Sequence, residues 1–341
     1  MKFIIKAVSI VLVLLLGGLL VVFSNEKKQY PIDEVKDKET DLLMVDAEID
    51  ENPATHQNVE DKSILDITSE KVDKIVIYNG AQKIELSPES PYSEEEVRTN
   101  LSGWYMHQPY KNIYSIKYNK MSDMLYGLNG LKWERVLDGN VTNLAEFGMT
   151  NVDFKISIGS EDQEETILIG GPANGESNYA KLETEDRVFT INNKALQPYS
   201  YQAFDIVEKF VKIVAIDVLK QLTIQYLDQE LTINIEHEEG PESNIKVEIN
   251  GEKIEEEEFR NLYKVIAGLS VKDAIEDAKY NTPVATMIYT ILDSNMGEKE
   301  IKVEFVSLNE KSFAVFIDNK ADFLIEKEEF LKMIDEINNN Y

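Results

Sequence analysis

Lys74-Ile75-Val76-Ile77-Tyr78-Asn79-Gly80-Ala81-Gln82-Lys83-Ile84-Glu85-Leu86 is the stretch on which the fold class turns. Ile75 and Ile77, then Ile84 and Leu86, recur at every second position on either side of Asn79-Gly80. That dipeptide between two such runs is a strong hairpin signal, because both of its residues accept the positive φ of a tight turn. The pattern returns at Gln221-Leu222-Thr223-Ile224 and Leu231-Thr232-Ile233-Asn234-Ile235, around a turn near Asp228-Gln229. Val72, Ile75 and Ile77 match Leu219, Leu222 and Ile224 at one constant offset.

Working outward, each hairpin is followed by a helical pattern. Met121, Met124, Leu125 and Leu128 form one apolar face, ending around Gly127 to Gly130; Phe259, Leu262, Val265, Ile266 and Leu269 form the other, with Gly268 where the first has Gly127. A β-meander then closes each copy, over 154–158, 166–169, 179–182 and 188–191 in the first and 287–292, 300–305, 313–317 and 323–325 in the second. Tyr179, Phe189 and Ile191 match Phe313, Phe323 and Ile325 at a second constant offset. Final helices are expected over 201–213 and 327–337. Strands grouped with helices at fixed places indicate α+β rather than alternating βαβ. The expectation is two tandem copies of a hairpin-helix-β-meander-helix unit, over 71–213 and 214–341.

Upstream, Ala7 to Phe23 carries no charge, and with Phe3 to Ile5 the apolar stretch is long enough to cross a bilayer as a helix. Lys2 and Lys6 favour a cytoplasmic N-terminus. Residues 1–24 are therefore expected to be an N-terminal transmembrane helix, touching lipid through 3–23, although Val22-Phe23-Ser24 could also serve as a poor cleavage site. Residues 25–70 are acidic, poor in aromatics and interrupted by Pro31 and Pro53, the composition of a flexible stalk. Within it, Leu42 to Val45 could dock a partner, and the cluster ending in Ile67 goes with the first strand. A single-pass protein of the bacterial cell membrane follows, with its C-terminal region outside the cytoplasm.

Charge and composition narrow the function. The 341 residues are 43% hydrophobic and 29% charged, as in a folded chain, and the formal net charge is -28. Such a balance, with no clustered Lys and Arg, excludes a phosphate-backbone partner and therefore nucleic acid. There is no cysteine, which removes disulfides, thiol nucleophiles and cysteine zinc sites. His56, His107 and His237 are scattered, so no metal or other cofactor is expected.

Several elements carry a resemblance. Trp104-Tyr105-Met106-His107-Gln108-Pro109, Asn143-Leu144-Ala145-Glu146-Phe147-Gly148-Met149, Ile167-Leu168-Ile169-Gly170-Gly171, Asn178-Tyr179-Ala180-Lys181 and Arg187-Val188-Phe189-Thr190-Ile191 stand in order. The chain resembles the bacterial domain-of-unknown-function 4340 family through them, over roughly 72–201. The resemblance implies a membrane-anchored, surface-exposed protein, often associated with ABC-type export systems, and it carries over no catalytic or ligand residue.

The candidate sites each have a plain alternative. Trp104, Tyr105, Tyr110 and Tyr114 could form a ligand-facing platform or pack in the core. Gly170 to Gly175 lies between two strands, so it is a hairpin turn and not a phosphate loop, which needs a following helix. Glu255 to Glu258 suit a helix start without calcium. Asp293-Ser294-Asn295-Met296-Gly297-Glu298 has a faint calcium-loop look but lacks the remaining ligands, and a β-turn accounts for it. No catalytic motif is present. The sequence therefore points to a non-enzymatic extracytoplasmic interaction module with a protein partner in the membrane or envelope, such as an accessory of an export system. The competing expectation is a cell-envelope enzyme or glycan-binding protein.

Overall fold

The computed structural model describes residues 63–137, 143–238 and 244–340. The opening hairpin forms where the alternation places it. Strands β1 (Lys74–Asn79) and β2 (Gln82–Ser87) pair with Ile77 opposite Ile84 and Ile75 opposite Leu86. Gly80 turns the chain at φ 60°, a left-handed conformation that costs a glycine little. The chain continues through β3 (Tyr105–Gln108), β4 (Tyr114–Ser115), helix α1 (Tyr118–Gly127) and β5 (Trp133–Val136). The meander follows as β6 (Phe154–Ser160), β7 (Gln163–Pro172), β8 (Ser177–Leu182) and β9 (Phe189–Asn192). These make a nine-stranded sheet in the order β4-β3-β2-β1-β6-β7-β8-β9-β5.

The second half lays down β10 (Leu219–Tyr226), β11 (Gln229–His237), β12 (Ile245–Ile249) and β13 (Glu252–Ile254), then helix α2 (Glu256–Ala267) and β14 (Asp273–Ala274). Strands β15 (Ala285–Asp293), β16 (Gly297–Ser307), β17 (Ser312–Ile317) and β18 (Lys320–Glu326) lead into helix α3 (Lys327–Asn340). This sheet also has nine strands, ordered β13-β12-β11-β10-β15-β16-β17-β18-β14. Its order is that of the first sheet with every strand moved on by nine, and α1 and α2 each enter between the fourth and fifth strands of their half.

Branched side chains at every second position bury one face of each sheet. Ile75, Ile84 and Ile156 of the first sheet and Leu222, Ile233 and Phe305 of the second belong to one continuous core, which also takes in Ile64, Leu65 and Ile67. Met121 and Met124 of α1 join it, as do Phe259, Leu262, Tyr263 and Ile266 of α2 at helical spacing. Each of these helices is tied down by a buried tyrosine hydroxyl. Tyr199 donates to Met124 O at 2.7 Å, and Tyr263 donates to Val214 O at 2.6 Å. Glu256, Glu257 and Glu258 fill the first turn of α2, where acids suit the helix dipole.

The joint between the halves includes a connector and a buried carboxylate. Val211 N donates to Leu269 O at 2.8 Å and Val271 N to Lys209 O at 2.7 Å, so the connector pairs with the chain after α2. Asp322, 3% exposed on β18, accepts from the backbone N–H of Lys111 at 2.8 Å and of Asn112 at 2.9 Å.

Two expectations are corrected. The helix expected over 201–213 is limited to Ala203–Ile206. Val207 and Phe210 instead make isolated β-bridges with Ile116 and Ser270, an extended course that suits the β-branched residues of this stretch. The expected transmembrane helix is the other. No helix among the described residues is long and apolar enough to cross a membrane. The longest, α3, has 14 residues, or about 21 Å against a hydrocarbon core of about 30 Å. The anchor placed at 1–24, with its lipid contact through 3–23, and most of the stalk at 25–70 lie outside the described residues. The fold shown is α+β, with two β-sheets and interspersed helices. The single-pass topology, the bilayer partner, the extracytoplasmic localisation and the roles built on a membrane anchor are corrected accordingly: nothing in the described chain supports them.

Candidate functional site

Alternation leaves the second sheet with one polar face, and its register gathers polar side chains into a line. Lys253 stands opposite Glu248, Glu248 opposite Asn234, and Asn234 opposite Gln221. Gln221 also faces Thr290, which faces Glu300. The six side chains cross β13, β12, β11, β10, β15 and β16 in one row. Residues opposite one another across a ladder point to the same face, so the row is the floor of a surface.

An open depression of about 810 Å³ lies over this row. Its middle is set by an amide pair, in which Gln221 Nε2 donates to Asn234 Oδ1 at 2.7 Å. Ion pairs fix the rim: Lys220 with Glu298, and Lys246 with Glu238 at 2.6 Å. The Glu238 carboxylate holds the Lys246 ammonium above its ordinary pKa through that hydrogen bond. At one end Glu256 accepts from Arg260 Nε at 2.7 Å, which leaves α2 starting against the depression. Six glutamates and three lysines line the whole, so the surface is net acidic. Such a surface can offer hydrogen bonds and negative potential; it offers no nucleophile paired with a base.

Both sheets have part of their outer face covered by the segment that precedes the meander. In the first half, Phe147 packs edge-on against Tyr179 at 4.9 Å. A Cβ on Gly170 would lie 2.3 Å from Phe147 O, and Gly148 turns at φ 68°. Gly170 is thus a place of close backbone approach, and Gly170 to Gly175 belongs to the β7–β8 hairpin. In the second half, Tyr280 packs against Phe316 at 5.3 Å and donates to Glu304 Oε1 at 3.0 Å, over a small cluster of Val306, Ala314, Phe316 and Ala321.

The aromatic candidates fall elsewhere. Trp104 and Tyr105 are buried at 7% and 4% exposure. Tyr110 and Tyr114 are half-buried at the joint, with their rings 4.7 and 4.6 Å from Phe323. Tyr114 donates to Asp322 Oδ2 at 3.1 Å, and burial, then Asp322, pushes its phenol pKa up. These four residues therefore do not gather on one free surface. His107 meets Ser87 Oγ at 2.8 Å and His237 meets Leu219 O at 2.9 Å, far apart in the fold, while His56 lies outside the described residues. Among the described residues no group of three or more His, Cys, Asp or Glu could hold a metal ion. The polar row escaped sequence reasoning because alternation marks Gln221, Asn234 and Thr290 as outward, whereas only register aligns them.

A family model, described as a domain of unknown function (DUF4340), matches residues 104–284. The match starts at Trp104 and runs past α2, whereas the resemblance read from motifs covers 72–201. No curated protein and no solved structure matches.

Proposed function

This chain belongs to the DUF4340 family, and on that premise we propose that it is a binding protein whose working surface is the polar face of the second sheet. The ligand is a cationic, hydrogen-bonding segment of a partner protein. The row from Lys253 to Glu300 carries this reading: aligned polar side chains with a preset amide pair and a surplus of carboxylates. Charge complementarity of this kind steers encounter and selects partners. We further propose that 71–213 and 214–341 are two copies of one unit, a reading supported by their matching strand orders. In it the first copy serves as the support against which the second is held. A ligand platform built from Trp104, Tyr105, Tyr110 and Tyr114 is disfavoured by their burial and by the contacts of the two tyrosines with Phe323.

The test uses a lysine-rich peptide and calorimetric titration of the full chain. Glu248→Gln with Glu300→Gln should weaken binding at least tenfold. Glu328→Gln with Glu329→Gln, which removes the same charge from the exposed start of α3, should leave it within twofold. Equal losses from both pairs would mean diffuse attraction to an acidic protein, and the site would be wrong.

A further inference from the structure

Two carboxylates where the halves meet are buried with one oxygen each unused. Glu95 lies in the short helix Glu94–Val97 of the first half and is 9% exposed; Asp293 ends β15 of the second and is 4% exposed. Glu95 Oε2 and Asp293 Oδ2 are buried and have no hydrogen-bond partner. The residues face each other crosswise, with the Ser93 hydroxyl beside Asp293 and the Ser294 hydroxyl beside Glu95.

The free oxygens are fixed in place. Asn295 N and Met296 N both donate to Asp293 Oδ1, at 2.9 and 3.0 Å, and so leave Oδ2 as the open position. A carboxylate oxygen taken from water without a partner is costly. The cationic side chains that act on the pair are already engaged, Lys299 with Glu96 and Arg98 with Asp217.

We propose that a hard divalent cation of the calcium type binds between Glu95 Oε2 and Asp293 Oδ2 and ties the first half to the second. The donors are all oxygen, as such ions require, and the Ser93 and Ser294 hydroxyls with water would complete a shell of about six to eight. The faint calcium-loop pattern from Asp293 to Glu298 supplies half of this site, and its missing carboxylate comes from the other half of the chain. With two carboxylates and no more, the site is a weak one, in the range of about 0.1–1 mM.

The full chain, stripped with chelator, is titrated with calcium by calorimetry, and its thermal midpoint is followed with calcium and with magnesium. Calcium should bind and raise the midpoint, and magnesium should do so less. Glu95→Gln and Asp293→Asn should each weaken calcium binding at least tenfold. Glu94→Gln, on the exposed neighbour, should bind as the parent does. Absence of a shift up to about 10 mM calcium, well above the expected range, would overturn the site. So would an equal loss in Glu94→Gln.

Discussion

The two sheets share a strand order and part company where they end. After β18 the chain runs straight into the fourteen residues of α3, whose Phe330 is fully buried with its ring 4.8 Å from Phe305, 5.5 Å from Tyr226 and 5.7 Å from Phe313. After β9 there is only Asn193–Leu196 before Gln197-Pro198-Tyr199, and Pro198 sits where a longer helix would need its backbone N–H. The chain that could have covered the first sheet becomes instead the connector that bridges Ser270. One topology is thus closed in two ways: the second half by its own helix, the first by Tyr199, by Ile64, Leu65 and Ile67 upstream, and by the joint.

The difference can be broken most forcefully at α3. Phe330→Ala empties a site enclosed by the rings of Tyr226, Phe305 and Phe313, and the cost should be about 3–5 kcal/mol. Chemical denaturation of the full chain measures it. A cost under about 1 kcal/mol, the size of an ordinary surface change, would mean that α3 does not close the second sheet.

A smaller effect sharpens the comparison at the segments lying on the outer faces. Gly170→Ala places a methyl group against Phe147 O, where backbone cannot swing aside, and should cost about 1–3 kcal/mol. Gly175→Ala, farther along the same hairpin, meets nothing within 4 Å and should be near neutral. The same denaturation measurement compares the two. Equal costs would show that the strain lies in the hairpin itself and not in the approach of 144–149.

The sequence made these elements legible to different depths. Ile75, Ile77, Ile84 and Leu86 announced β1 and β2 because period 2 is a local property, and Asn79-Gly80 fixed their turn. The face of α2 was equally plain from Phe259, Leu262 and Ile266. The stretch 201–213 misled because its apolar residues suit a helix or an extended connector alike, and only the presence of Ser115, Leu269 and Ser270 as partners settles it. The candidate site was invisible for a related reason. Gln221 and Thr290 are far apart in the chain and become neighbours only through the β10–β15 register. Trp104 drew attention as a large aromatic, yet size serves a core as well as a ligand.

The smallest effect expected concerns the connector, and it turns on pH. Glu208 is half-buried there; its N–H donates to Ser115 O at 2.9 Å, and burial raises its carboxyl pKa while Lys117 partly offsets this. A carboxyl whose pKa is higher folded than unfolded binds its proton better in the native state. Its contribution to stability is complete below the unfolded pKa, near about 4.3 for a free glutamate, and is lost as pH rises through the folded value. Glu208→Gln keeps the shape and removes the titration. The variant should therefore match the parent at about pH 3 and melt slightly higher than it at about pH 7, a gap that opens as the carboxyl ionises. A variant less stable than the parent at neutral pH would mean that the ionised carboxylate holds the connector through Lys117, and the joint would then owe more to charge than to burial.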